Sequence, residues 1–477
     1  MVKKIITESG RTFNEFCLLP DYTKENCTIQ NITLKTKLAE IKLKIPFLSA
    51  AMTSVTNYEM ALALGKEGGI GILPARLSIK EQTNIVKKIK NYEMHFVEDP
   101  VRVRETTTVE YVLKKIERHG HSKIPIVDKN NTFLGMFTLQ NYWESSSIPE
   151  DKATSIMLTP EKLPYTKNPD ITIEEAKKLF ETTKEKYLII LDKQDRLVKL
   201  AFKKDIKEIK IGSAISTYPG WQKRVEDNIN AGVDLIVIDT SDAYNEFTEN
   251  VLKEYKTKHK TPICAGNIVT KEGALFLMEN GADIVKVGMS SGSICTTQRE
   301  KAVGRSPMTA LIEADKARKE FYKKTGKYIS LIIDGGITSA ADIIIALTIA
   351  DAVMTGSYFN KFYEAAGEKF NEAGKETRIE SEMKTVATWG EGSEKAQNLD
   401  RYNQTKKTFF AEGVEGTVPY KGRLKPTLKA DIMRIKAALS NTGCQNLEKL
   451  RERAVIELIS PHSSKIISET HNITKGG

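Results

Sequence analysis

Apolar residues along this 477-residue chain gather in short runs separated by amphipathic stretches. The runs lie at residues 46–49, 69–73, 209–215, 234–239, 261–265, 284–287, 330–334 and 352–354. Most are continuous rather than alternating, the pattern of strands buried on both faces of a parallel sheet. Helices fit between them, for example over 225–231, 271–280 and 309–325. Eight strand–helix units predict an α/β fold, a (β/α)8 barrel. A doubly wound open sheet fits less well, because no Gly-x-Gly-x-x-Gly turn follows the first strand.

The alternation breaks between the second and third strands, where the chain repeats itself. Thr108-Val109-Glu110 matches Thr172-Ile173-Glu174, and Ile124-Pro125-Ile126-Val127-Asp128 matches Leu188-Ile189-Ile190-Leu191-Asp192 at the same offset. Each copy reads helix, strand, turn, strand, helix. The predicted organisation is therefore a first part of the barrel over 1–96, an inserted pair over 97–208, and the rest of the barrel over 209–477. Past Asp351 a long polar stretch, 364–420, reads as a lid, because structureless loops of that length are uncommon inside a domain. Apolar periodicity resumes at 428–439.

Composition narrows the class. The longest apolar run, near 343–354, is interrupted by Thr348 and Asp351 and is too short to span a bilayer. The first ten residues lack the apolar core of a signal peptide. Five scattered cysteines form no Cys-x-x-Cys pair, which points to a reducing cytoplasm rather than a disulfide framework or zinc site. The formal net charge is +10, but the lysines are spread along helical patterns such as 114–118. That favours a solvated basic surface over nucleic-acid binding.

The candidate chemistry sits just past the strands. After 284–287 comes a loop of small residues, 288–298, with Cys295 inside it. Such a loop lets backbone approach a ligand or ion closely. Its cysteine reads either as a nucleophile or as a small buried hydrophobe, and spacing leaves both open. The seventh and eighth strands end in Asp334-Gly335-Gly336 and Thr355-Gly356-Ser357, where barrels often bind phosphate. Glycine N–H groups and a following helix N-terminus suit an anion. Asp334 could accept from two vicinal hydroxyls. The fourth strand ends in Asp239-Thr240-Ser241-Asp242, a ligand site or a helix cap. The fifth ends in Gly266-Asn267.

The run Gly292-Ser293-Ile294-Cys295-Thr296-Thr297-Gln298 resembles the active-site loop of the IMP dehydrogenases, much of which GMP reductases share. The likeness extends from 16–20 and 49–56 to 413–422, in the branch with Trp389-Gly390-Glu391-Gly392-Ser393. It implies NAD-dependent oxidation of IMP to XMP, the committed step of guanine nucleotide synthesis, through a thioimidate on Cys295. Thr297 would relay a proton, and Arg401-Tyr402 on a flap over 386–422 would activate water. Ser293, Asp334, Gly335, Gly336, Gly356, Ser357, Thr388, Trp389, Gly390, Glu391, Gly392 and Glu412 would hold the nucleotide. Asp239, Thr240, Ser241, Gly288, Met289 and Ser290 would hold NAD. Carbonyls of Ser290, Gly292 and Cys295, with Glu469, Thr470 and His471 of a neighbouring subunit, would enclose K+ in a homotetramer. Ser290 stands where the family loop usually has glycine, and Thr388 where it has a phosphate-binding tyrosine. The inserted pair resembles a tandem CBS (Bateman) module, which often binds adenine or guanine nucleotides through a Thr/Ser and an Asp three residues later. Here the first copy has Thr138 but Asn141, and the second has Asp205 but Phe202, so a module without ligand is an equal reading. GMP reductase and a non-catalytic nucleotide-binding paralogue are the alternatives for the whole chain; an intact Arg401-Tyr402 favours the dehydrogenase.

Overall fold

The structure, a computed structural model, describes residues 5–90, 92, 96–97, 99–119, 121–183, 187–202, 209–289, 297–399 and 413–460. The chain divides into two compact units, one of residues 1–90 with 209–477 and one of residues 91–208. Among the described residues no helix is long and apolar enough to cross a membrane.

The first unit is a closed barrel of eight parallel strands: β1 (Phe47–Ser49), β2 (Ile70–Leu73), β3 (Ile211–Ile215), β4 (Leu235–Asp239), β5 (Ile263–Ile268), β6 (Ile284–Val287), β7 (Ser330–Asp334) and β8 (Ala352–Thr355). Each strand pairs with its sequence neighbours, β8 returns to β1, and β2 pairs with β3 across the inserted unit. The eight predicted runs are these strands: 284–287 and 330–334 match to the residue, and the others differ by at most three residues at an end. The helix predicted from 271 begins there, whereas those read from 225, 309 and 428 begin two to four residues earlier, as Trp221–Asn230, Pro307–Thr325 and Leu424–Asn441, each opening on a buried apolar residue that the periodic stretch left out.

Side chains alternate between the inside and outside of a barrel. Leu235 and Val237 of β4, Ile284 of β6, Ile332 of β7 and Met354 of β8 share one buried cluster with Leu38, Ile41 and Leu43. The last three come from a hairpin, Thr36–Leu38 with Ile41–Leu43, that closes the N-terminal end of the barrel. Its Thr36 hydroxyl donates to the Asp351 carbonyl at 2.8 Å, and its Ala39 N–H donates to Ser330 Oγ at 3.2 Å. Two residues further along the inner face the apolar filling ends and charge begins, at Asp239, Lys286 and Asp334.

The polar stretch 364–420 is not a loop throughout, contrary to the reading from composition. Lys369–Phe370, Thr385–Trp389 and Glu415–Pro419 form a three-stranded antiparallel sheet. Trp389 is buried against Ala387, Ala396 and Phe370. Its indole N–H donates to Thr53 Oγ1 at 2.8 Å, and its carbonyl accepts from Ser54 Oγ at 2.8 Å. Partners more than 300 residues away in sequence order this segment, so its own composition carried no sign of them.

The second unit shows the repeat directly. Helix Val109–His119 and strands Lys123–Val127 and Phe133–Thr138 correspond to helix Ile173–Thr183 and strands Tyr187–Leu191 and Leu197–Phe202. Asp128 accepts from the Asn130 and Thr132 N–H groups, and Asp192 accepts from those of Gln194 and Arg196. The two turns interlock: Phe133 N–H donates to the Asp195 carbonyl at 2.8 Å, and Leu197 N–H to the Asn131 carbonyl at 3.0 Å. Val127, Phe133, Met136, Ile189, Leu197 and Leu200 fill one core drawn from both copies. Asp205 lies outside the described residues. Thr138 Oγ1 donates to Asn141 Oδ1 at 2.8 Å, so these two side chains satisfy each other.

Candidate active site

The mouth of the barrel, at the C-terminal ends of the strands, is organised by a lysine. Lys286 is the inward-facing residue after Ile284 on β6, and only 1% of its side chain is exposed. Its ammonium donates to Asp239 Oδ1 of β4 at 2.8 Å, to Asp334 Oδ2 of β7 at 2.8 Å, and to Asn267 Oδ1 of β5. Asn267 in turn donates from Nδ2 to Asp334 Oδ2 at 3.1 Å. Burial opposes a charged lysine, but the two carboxylates more than offset it and raise the ammonium's pKa above the ordinary lysine value. Space for the lysine comes from Gly266. A Cβ there would lie 2.5 Å from Lys286 Cβ and 2.6 Å from its carbonyl oxygen, so only glycine lets β5 pass this closely.

The carboxylates remain accessible while the cation between them is not. Asp239 leaves 29% of its side chain exposed and Asp334 leaves 21%. Each can therefore accept from a ligand at the mouth, as recognition of a sugar diol requires. Thr240 ties β4 to β5: its N–H and Oγ1 both donate to the Gly266 carbonyl at 3.0 Å, and its carbonyl accepts from the Asn267 N–H. Ser241 is exposed, Gly288 has φ +137°, and Met289 is nearly buried.

Past β7, Gly335 and Gly336 adopt φ of +81° and +71°, which side chains with a Cβ rarely tolerate. Gly356 lies against Met52, and Ser357 Oγ donates to the Ile337 carbonyl at 3.2 Å. The helix that follows β7, Ala340–Leu347, was expected to offer its N-terminus to an anion. It opens on a capping box, in which Ser339 Oγ accepts from the Asp342 N–H at 3.2 Å and the Asp342 carboxylate accepts from the Thr338 and Ser339 N–H groups.

On the other rim, Glu391 accepts from the Thr53 N–H and, at 2.8 Å, from its hydroxyl. Its second oxygen pairs with Arg76 Nε at 3.0 Å. Burial still pushes the Glu391 carboxyl above its usual range. Gly390 N–H donates to the Val414 carbonyl at 3.1 Å. Gly392 follows in the same turn. Thr388 is buried, and its Oγ1 accepts from Asn360 Nδ2 at 2.9 Å. Inside the barrel below Lys286 lies Cys264, with no exposed surface and a thiol that burial pushes up to about 12. It is no nucleophile.

Ser290, Gly292, Ser293, Cys295, Arg401, Tyr402, Glu412, Glu469, Thr470 and His471 lie outside the described residues, as does the side chain of Thr297. The structure thus brings Asp239, Asp334, the glycine turns and Glu391 around one mouth of the barrel. It adds three residues that sequence reasoning missed: Lys286, Thr53 and Arg76. Lys286 had a visible signal, a charge at the inward parity of an otherwise apolar strand.

Such a barrel, with accessible carboxylates and glycine turns at its strand ends, defines a barrel enzyme with its site at the C-terminal mouth. Residues 10–471 match the family model of the IMP dehydrogenase / GMP reductase domain. The chain is 33% identical to the inosine-5′-monophosphate dehydrogenase of Tritrichomonas foetus, over 96% of this chain and 95% of that one. It is 34% identical to that of Aquifex aeolicus, over 95% and 93%. Among solved structures, a cysteine-to-alanine variant of the GMP reductase of Trypanosoma brucei in complex with guanosine 5′-monophosphate superposes with a TM-score of 0.69, covering 98% of both chains at 22% identity. The chain belongs to the IMP dehydrogenase / GMP reductase family and is an oxidoreductase of the IMP dehydrogenase type.

Proposed function

We propose that the protein oxidises IMP to XMP with NAD as hydride acceptor, the committed step of guanine nucleotide synthesis. The observation that carries this reading is the pair of accessible carboxylates, Asp239 and Asp334, set beside the Gly335-Gly336 turn on a chain with the Gly-Ser-Ile-Cys-Thr-Thr-Gln loop. Asp334 holds the IMP ribose diol, while Gly335, Gly336, Gly356, Ser357 and Ser293 take the phosphate. Asp239, with Thr240 and Ser241, holds the nicotinamide ribose. NAD, when bound beside Asp239, would supply the acceptor for the hydride that leaves C2. The purine cannot release that hydride until a nucleophile has added, and the Cys295 thiolate forms the C2–S bond. The resulting thioimidate is hydrolysed by water that Arg401-Tyr402 activates, with Thr297 relaying the proton. Arginine is a weak base in solution, with a pKa above about 12, so its role depends on its setting on the flap. Glu412 lies along the purine edge, and Thr388 to Gly392 line the nucleotide.

The inserted unit is a tandem CBS module. Its Thr138–Asn141 pair, already mutually bonded, favours a module that binds nucleotides weakly or not at all. The family resemblance also supports a cytoplasmic homotetramer with a K+ ion held by carbonyls of 290, 292, 295 and 469–471. The test is NADH absorbance with IMP and NAD. IMP-dependent NADH formation is expected. Consumption of NADPH with GMP instead would identify a GMP reductase, and neither reaction would indicate a nucleotide-binding paralogue.

A further inference from the structure

Two carboxylates at the mouth share one cation. Both Asp239 Oδ1 and Asp334 Oδ2 lie 2.8 Å from the same Lys286 nitrogen, which is itself buried. Among the described residues, the charged or titratable groups facing this cluster are Asp239 from β4, Cys264 from β5 and Asp334 from β7, with neutral Asn267 beside them. Across the mouth, Asp239's charge also acts on Glu391. Two carboxylates that contact one cation repel each other once it is removed, and that repulsion favours proton uptake by one of them. A carboxyl that holds a proton loses part of its capacity to accept from a ribose diol.

We propose that Lys286 is a positioning residue that keeps Asp239 and Asp334 simultaneously ionised and aimed, and so links the site of one nucleotide ribose to the site of the other. This rests on the roles given above to Asp239 and Asp334. The lysine touches neither ligand in the argument. It acts through the carboxylates, and its effect must therefore appear as a proton-dependent loss that removal of one carboxylate relieves.

The experiment compares wild type, Lys286→Met, Lys286→Arg and the double variant Lys286→Met/Asp239→Asn. IMP affinity is measured by calorimetry from pH 6.5 to 8.5 on the intact protein, and thermal stability without ligand over the same range. Taking the ratio of variant to wild-type Kd cancels the titration of IMP itself. Lys286→Met should weaken IMP roughly 10- to 100-fold at neutral pH, with the loss shrinking as pH rises. Lys286→Arg should restore most of the affinity and a flat ratio. Asp239→Asn in the Met background should also tighten IMP binding, since the carboxylate that repels Asp334 is then gone. Without ligand, a carboxyl whose folded pKa is raised contributes stability at low pH that is lost as pH rises through that pKa. The Lys286→Met protein should therefore lose stability relative to wild type as pH increases, and the double variant should not. A pH-independent ratio, or no rescue by Asp239→Asn, would overturn the proposal. If wild type fails to bind IMP while the ligand-free stability profile behaves as described, the cluster stands and the nucleotide assignment falls.

Discussion

At the N-terminal end of the barrel, three aspartates stand one residue before β4, β6 and β8. Asp234 accepts from the Ile211 N–H at 2.9 Å, Asp283 from the Ile263 N–H at 3.0 Å, and Asp351 from the Leu331 N–H at 2.8 Å. Each ties its own strand to the one before it. Each also has two cations: Lys90 and Lys210 for Asp234, Lys256 and Lys327 for Asp283, Arg318 and Arg451 for Asp351. At the C-terminal end the ratio is reversed, with one buried ammonium serving two half-open carboxylates. The same residue type is enclosed at one end, where Asp234, Asp283 and Asp351 are 10%, 15% and 2% exposed, and opens to solvent at the other, where Asp239 and Asp334 are 29% and 21% exposed. Enclosed carboxylates fix strands. Those that open on the mouth can reach a ligand.

That contrast can be broken from either side. The largest effect belongs to the mouth. Cys295→Ser should abolish NADH production while IMP still binds, as calorimetry would show, because ribose and phosphate contacts come from other strand ends. Asp334→Ala comes next. It should cut kcat/KM for IMP by about 100-fold or more, from the loss of charge-assisted hydrogen bonds worth roughly 1.5–3 kcal/mol each. Its melting temperature should fall less than that of Asp351→Ala, since the buried Lys286 keeps Asp239 and Asn267. Asp351→Ala should do the opposite. It strips the acceptor from the Leu331 N–H, the Tyr328 hydroxyl and the buried Arg318, a loss on the order of 3–5 kcal/mol in denaturant melts, with kcat/KM near wild type where folded. Asp283→Ala is milder, about 1–2 kcal/mol, because its lysines are partly exposed and reach water. Smallest of all, Glu110→Ala in the inserted unit should cost about 0.5 kcal/mol or less, since its pair with Lys114 is solvated.

Much of this was legible in the chain. Barrel strands are buried on both faces, so they read as unbroken apolar runs, and Ile284–Val287 or Ser330–Asp334 could be placed to the residue. The insertion was legible because each copy repeats an aspartate turn, Asp128 and Asp192, that builds the same hairpin. What escaped was set by distant partners. Nothing local to Trp389 shows that Thr53 and Ser54 will bury it. Nothing local to Asp334 shows that its cation comes from β6. Lys286 was passed over because an apolar run absorbed it, although its parity with Ile284 placed it inside the barrel. The reactive loop and the flap were read from resemblance, and their chemistry is testable without their geometry.

The most direct test uses the order of events on Cys295. Arg401→Ala enzyme is mixed with IMP and NAD, quenched in acid, and the cysteine peptides are weighed by mass spectrometry. The account predicts a purine adduct on Cys295 and none on Cys264, approaching one per site, with a matching burst of NADH before a much slower steady state. NADH formed without any adduct on Cys295, or an adduct on another cysteine, would contradict it.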